Sequence, residues 1–243
     1  MKYNLKTVAL VQARMGSSRL PGKMMMDLCG YPILHWVLYR VKQAHRLTEV
    51  VLATTELNQD DPLTELAQSL KVGVFRGSEA DVLGRFWDAA REFKADVVVR
   101  VCADNPFIAP EEIDRLVDCY LSRRQSGGDP RRLYAFNHIN TMDNNYPDGL
   151  GAEIFSLDLL ATLYRLAMES SDREHVTTYL WDHPRDFEIY PVFAPPEIAY
   201  PGVKLDVDTQ ADLNRLRQLG ARLSQGSSAI QVVRAYLDLF GEY

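Results

Sequence analysis

Short apolar runs rich in β-branched residues alternate along this chain with longer stretches whose apolar residues recur every three or four positions. Val8–Val11 has the composition of a strand buried on both faces, Val50–Thr54 (VVLAT) reads as a second buried strand, and Val72–Phe75 and Asp96–Cys102 (DVVVRVC) read as a third and a fourth strand. Ile33–Ala44 carries Ile33, Leu34, Val37, Leu38 and Val41 at helical spacing, and Glu79–Lys94 sets Val82, Leu83, Phe86 and Ala90 on one face. Pro62–Leu70, with Asp60 or Asp61 as cap, and Pro110–Ser122 read as further helices. Strands alternating with helices of this length predict βαβ units and a parallel sheet.

The rhythm breaks at Arg123–Arg132 (RRQSGGDPRR), which reads as a solvated loop in preference to a binding patch. Beyond it, Leu133–Ile139, Ala152–Phe155 and Phe187–Phe193 look like strands of a different layer, and Leu157–Met168 and Arg173–Trp181 like helices. Val203–Val207 (VKLDV) reads as a last short strand. Thr209–Leu219 and Ser228–Phe240 are closing helices, the first with Thr209 and Asp212 spaced as a capping box. The 243 residues suffice for one α/β domain, residues 1–243, with a sizeable insertion.

Composition narrows the function classes. At 47% hydrophobic and 25% charged, the chain has ample material for a core, and its net charge of −6 argues against a nucleic-acid partner. Cys29, Cys102 and Cys119 form neither a disulfide framework nor a CxxC metal site, so buried reduced thiols are expected. The N-terminus lacks a signal-type apolar run and no stretch approaches the ~20 apolar residues of a membrane span. The expectation is a cytoplasmic protein with no membrane partner.

Candidate chemistry concentrates after the first strand. In ARMGSSRLPGK (Ala13–Lys23), Gly16 and Gly22 permit close backbone approach, Ser17 and Ser18 add hydroxyls, and Arg14, Arg19 and Lys23 supply three cations. Such a loop at the carboxyl end of a strand predicts a nucleoside triphosphate cradle. It is not a P-loop: five residues separate Gly16 from Gly22 where four are required, and Met24 stands where Ser or Thr would bind the metal. Asp104, just past DVVVRVC, is placed to hold Mg²⁺, or to form an Asx turn ahead of Pro106. Asp206 and Asp208 in KLDVDT alternate, so on a strand both would face one site; Asp208 as a helix cap is the alternative. Arg76, Gly77 and Ser78 close the third strand beside the cradle, where they could contact a base or sugar. Asp81 and Arg85 follow at ion-pair spacing. The cluster Asp172–Thr177 contains Arg173 and His175, candidates for a substrate contact.

Together ARMGSSRLPGK, FRGSEADVLGRF, VRVCADNPFI, DREHVTTYL and LDVDTQADL resemble the sugar cytidylyltransferase family, with the spore coat polysaccharide biosynthesis protein F-like branch the nearest. Acylneuraminate and 3-deoxy-manno-octulosonate cytidylyltransferases are related branches. The resemblance implies a Rossmann-like α/β fold of glycosyltransferase-A type with a mostly parallel sheet. It also implies an insertion at about 125–200 that binds sugar and forms a homodimer. Tyr134, Phe136, Tyr146 and Tyr190 in that insertion are aromatics of the kind enriched in interfaces. The implied reaction moves CMP from CTP to a sugar of acidic or nonulosonic type, releases pyrophosphate and uses Mg²⁺. By motif, Arg14, Lys23, Asp104 and Asp208 are the implied catalytic residues. Ala13, Met15, Gly16, Ser17, Arg19, Arg76, Gly77, Ser78 and Asp81 join Arg14 and Lys23 on the nucleotide. Asp104, Asp206 and Asp208 take the metal, and Glu153, Arg173 and His175 the sugar. Where the family reads GLDxEVF this chain reads GLGAEIF, with Gly151 in place of the acidic residue and Glu153 retained. A nucleotidyltransferase using another base, and a non-catalytic nucleotide-binding protein, are the competing readings.

Overall fold

The computed structural model describes residues 5–241; the first four residues of the stretch read for a signal lie outside them. β1 (Thr7–Gln12) leads through the cradle loop to a short hairpin, β2 (Asp27–Leu28) and β3 (Tyr31–Pro32), and then α1 (Ile33–Val41). Next come β4 (Glu49–Thr55), α2 (Asp61–Ser69), β5 (Gly73–Gly77), α3 (Val82–Glu92), β6 (Val97–Cys102) and α4 (Pro110–Gln125). The remaining elements are β7 (Leu133–Phe136), β8 (Glu153–Ser156), α5 (Leu157–Leu166), α6 (Ser170–Glu174), α7 (Thr178–Asp182), β9 (Glu188–Pro191), α8 (Gln210–Gly220) and α9 (Ala229–Phe240).

Seven strands form one sheet in the order β5-β4-β1-β6-β8-β7-β9. All neighbours are parallel except at β8, which runs antiparallel to both β6 and β7. The Val8–Val11 run of β1 is uniformly apolar because both of its faces are covered. Ala9 and Val11 pack into the core on one face of the sheet, with α1, α4, α8 and α9, while Val8 and Leu10 pack on the other, with α3 and α5. The predicted apolar faces of α1 and α3 are all buried. The chain lays down β1, β4 and β5 outward, then returns to place β6 on the free side of β1. The connections after β1 and β6 therefore leave in opposite directions, opening a crevice at their carboxyl ends.

Several expectations need correction. The strands at 133–136, 153–156 and 188–191 are not a different layer: they extend the main sheet, because β8 pairs directly with β6 from Val97↔Ser156 to Arg100↔Glu153. Residues 203–207 form no strand and make only an isolated pairing of Lys204 with Asp148. The helix expected over Arg173–Trp181 is broken into α6 and α7 at His175, whose backbone is extended. α4 runs to Gln125, into the expected loop, and Arg123 and Arg132 there serve structure, reaching Glu188 and the carbonyls of Arg185 and Asp186. Cys29 is exposed and Cys102 and Cys119 are half-buried, so the thiols are free but not sequestered. Tyr134, Phe136 and Tyr146 are fully buried in the core, leaving only Tyr190 of the four aromatics at the surface.

Candidate active site

β1 ends at Gln12 because the next residues must leave the sheet, and the chain turns into the cradle over the mouth of the crevice. The loop is tied at Met15, whose carbonyl accepts from the amides of Ser17 (2.9 Å) and Gly22 (3.0 Å). Gly22 has a φ of 73°, a left-handed backbone that favours glycine, and directly precedes Lys23. Lys23 is thereby pushed inward until it is nearly buried. Its ammonium lies 3.2 Å from Asp104, 3.3 Å from Asp208 and 2.7 Å from the carbonyl of Val207. Arg19 reaches the other oxygen of Asp208 at 2.7 Å. Arg14 is flanked loosely by Glu79 (3.9 Å) and Glu174 (3.6 Å).

Arg14, Arg19, Lys23, Asp104, Glu174 and Asp208 line a cleft of about 330 Å³ with Gln12, Ala13, Gly16, Ser17, Ser18, Met24, Cys102, Ala103 and His175. Four predicted segments, distant in sequence, thus meet at one place. Asp208 is free to do so because it is not the helix cap. Thr209 caps α8, and Asp212 completes the box by accepting from the Thr209 amide at 2.8 Å. The break between α6 and α7 brings His175 to the rim.

Asp104 and Asp208 present hard oxygen donors within 3.3 Å of one point, the ammonium of Lys23. Among the described residues no three His, Cys, Asp or Glu side chains converge into a complete metal cage. Two carboxylates beside an anion cradle are the donor set Mg²⁺ commonly takes, with substrate phosphates and water completing its shell. Asp206 does not line the cleft. Its carboxyl is raised by burial and by Asp208 and Asp104. Asp148, which sequence reasoning passed over, adds a fourth acid. Burial and the neighbouring Asp206 push it up to about 6, with Lys204 pulling the other way. The pairing of 148 with 204 that joins these acids is long-range, and no local pattern announces it.

Other predicted residues are held away from the cleft. Arg76 spends its guanidinium on the turn after β4: on the carbonyls of Thr55 and Leu57, both 2.8 Å, and on Asp61 at 2.6 Å. Gly77 and Ser78 follow it outside the cleft lining. Asp81 caps α3 through the Gly84 amide (2.7 Å) and pairs with Arg173, not with Arg85. Arg173 also lies over the Tyr164 ring at 4.5 Å, so it anchors α6, whose end carries Glu174 and His175 to the cleft. Glu153 is buried under the site. One oxygen meets Arg100, and the other accepts from Tyr134 (2.6 Å) and Thr177 (2.8 Å). Burial alone would raise its carboxyl, but Arg100, His138 and these hydroxyls hold it down at about 2. Gly151 leaves no room for the acid expected there, since a Cβ would lie 2.2 Å from both the carbonyl and side-chain oxygens of Asn137.

The sequence profile described as cytidylyltransferase matches residues 8–230. The chain belongs to the cytidylyltransferase family. It is a nucleotidyltransferase enzyme. This cytidylyltransferase is 33% identical over 217 residues to the spore coat polysaccharide biosynthesis protein SpsF of Bacillus subtilis, covering 86% of this chain and 84% of that protein. The structure of a cytidylyltransferase from Leptospira borgpetersenii serovar Hardjo-bovis superposes with a TM-score of 0.86 at 32% identity, covering 97% of this chain and 94% of that one. The fold also matches CMP:2-keto-3-deoxy-manno-octonic acid synthetase complexed with CTP, with a TM-score of 0.62 at 21% identity and coverage of 89% and 98%. None of the described helices of this cytidylyltransferase is long and apolar enough to cross a membrane.

Proposed function

We propose that this cytidylyltransferase transfers CMP from CTP to a hydroxyl of an acidic, nonulosonic-type sugar, in the synthesis of a surface polysaccharide or glycan. The observation that carries the reading is the Lys23 ammonium seated between Asp104 and Asp208 on the floor of an arginine-bearing cradle. Nucleotidyl transfer needs in-line positioning and neutralisation of the leaving group more than covalent help from the protein. The sugar hydroxyl oxygen attacks the α-phosphorus and gives up its proton to solvent, the bond to the β-phosphate oxygen breaks, and pyrophosphate leaves with the electron pair. Arg14, Arg19 and Lys23 neutralise the triphosphate, with Gly16 offering its amide and Ser17 its hydroxyl, while the Met15 amide is held by Asp60 and the Ser17 amide by the Met15 carbonyl. Mg²⁺ held by Asp104 and Asp208, with Asp206 supporting from behind, would supply charge neutralisation at the reacting phosphates. His175 at the rim takes the sugar, while Arg173 and Glu153 hold its segment from either end. The relatives named for polysaccharide synthesis and for a keto-sugar acid favour this sugar class.

The chain is proposed to work as a homodimer through the 125–200 region. Phe193, next to amides of 192 and 194 that bond to Phe136 and Asn144, lies along the segment bearing Ile139 and Met142. These three and Tyr190 are exposed apolar residues at the β9 end of the sheet. The functional test is pyrophosphate release with each nucleoside triphosphate, with and without a panel of sugars. CTP with an acidic sugar is expected to lead. Equal use of UTP would refute the base assignment, because a pocket built for one pyrimidine edge leaves polar groups unpaired with the other.

A further inference from the structure

Asp60 stands out as a fully buried carboxylate with no cation at ion-pair distance among the described residues. Its position before α2 makes it a candidate helix cap, yet its side chain makes no cap bond. Instead one oxygen accepts from the amide of Met15 in the cradle at 2.7 Å. The other accepts from the Thr55 amide (3.3 Å), the Thr54 hydroxyl (3.2 Å) and the Thr55 hydroxyl. The Met15 carbonyl is the point on which the cradle closes, through Ser17 and Gly22. The residue that shapes the cradle is therefore gripped from behind, through its amide, by a residue 45 positions away. Arg76 clamps the Thr55–Asp61 turn that presents Asp60, by its bonds to Thr55, Leu57 and Asp61.

We infer that Asp60 is a positioning residue for nucleotide binding, acting through the Met15 amide to hold the cradle in its anion-binding shape. The inference rests on the cradle being the triphosphate site. A carboxylate is needed there because each of its oxygens accepts from a backbone amide. An asparagine offers one acceptor oxygen, so its NH₂ must face either Met15 N–H or Thr55 N–H and leave that donor unpaired. A loop that has lost its anchor must be ordered by the ligand, which weakens binding without touching the chemical step.

The experiment measures CTP affinity by calorimetry, steady-state kinetics and melting temperature for Asp60→Asn, Thr54→Val and Lys23→Ala. Thr54→Val removes a donor to the same carboxylate but leaves the Met15 bond. In Asp60→Asn the Kd and KM for CTP are expected to rise about tenfold with kcat within about twofold of the parent. Thr54→Val is expected to lower the melting temperature and bind CTP like the parent. Parent-like CTP affinity in Asp60→Asn, with affinity lost in Lys23→Ala, overturns this inference alone. Parent-like affinity in both overturns the cradle assignment too. Equal affinity losses in Thr54→Val and Asp60→Asn overturn it in favour of general softening. If Asp60→Asn does not fold, hydrogen exchange on the parent decides: a protected Met15 amide without CTP is expected, and rapid exchange refutes the anchor.

Discussion

Replacing Glu153 by glutamine tests whether the buried charge network beneath the cleft stabilises the fold. Glu153 is 2% exposed and joins β8 to Arg100 on β6, to Tyr134 on β7 and to Thr177 at the start of α7. The amide nearly preserves shape but leaves Arg100 buried without its counter-charge. Breaking one partner of such a pair costs about 3–5 kcal/mol. Proton linkage supplies an independent figure. The carboxyl falls from its ordinary 4.5 to about 2 on folding, and two and a half units correspond to roughly 3 kcal/mol. Because the folded state binds this proton more weakly than the unfolded chain, the contribution is complete above about pH 4.5. It is lost as pH falls through about 2. Glu153→Gln is expected to melt about 6–20 °C lower at pH 7, given the ~2–4 °C per kcal/mol of a domain this size. Between pH 5 and pH 2 it should lose less stability than the parent, since its network has no such proton to gain. Circular-dichroism melts across that range measure both effects. A variant melting within 2 °C of the parent at pH 7, with a parallel acid limb, would refute the reasoning.

The remaining predictions concern the metal carboxylates, Gly151 and assembly. Asp104→Asn and Asp208→Asn are each expected to cut Mg²⁺-dependent pyrophosphate release by ~10²-fold or more, with little change in melting temperature; near-parent rates in both would sink the metal assignment. Gly151→Asp, which restores the acid expected of the family, should destabilise by at least about 1–3 kcal/mol, because its Cβ meets Asn137 oxygens at 2.2 Å; a denaturant midpoint equal to the parent's would contradict that crowding. Light scattering at micromolar concentration is expected to give the mass of a dimer, and Phe193→Glu that of a monomer; a monomeric parent would remove the proposed interface.

Local pattern carried the first half of this chain. The runs at Val8, Val50 and Val97 had to be inner strands, because each is too apolar for a one-sided sheet and each is followed by an amphipathic helix; the run at Val72 also precedes a helix but forms the half-buried edge strand β5. The cradle was legible for a similar reason: glycines, hydroxyls and cations crowd into eleven consecutive residues, Ala13–Lys23. Pairwise geometry between distant segments was not legible. Lys204 pairs with Asp148 outside any strand, so the alternation that put Asp206 and Asp208 on one face did not apply. Tyr134 and Phe136 looked like interface aromatics until β7 was seen inside the sheet, where both side chains are sealed. Asp60 illustrates the limit most directly. Its place before a helix made capping the natural expectation, yet its carboxylate bonds to Met15 N–H because β1 and β4 lie side by side. Side-chain type and spacing determine which backbone shapes are affordable within some ten residues. Which carboxylate meets which donor depends on the order of strands in the sheet, and that order is set by the packing of the whole chain.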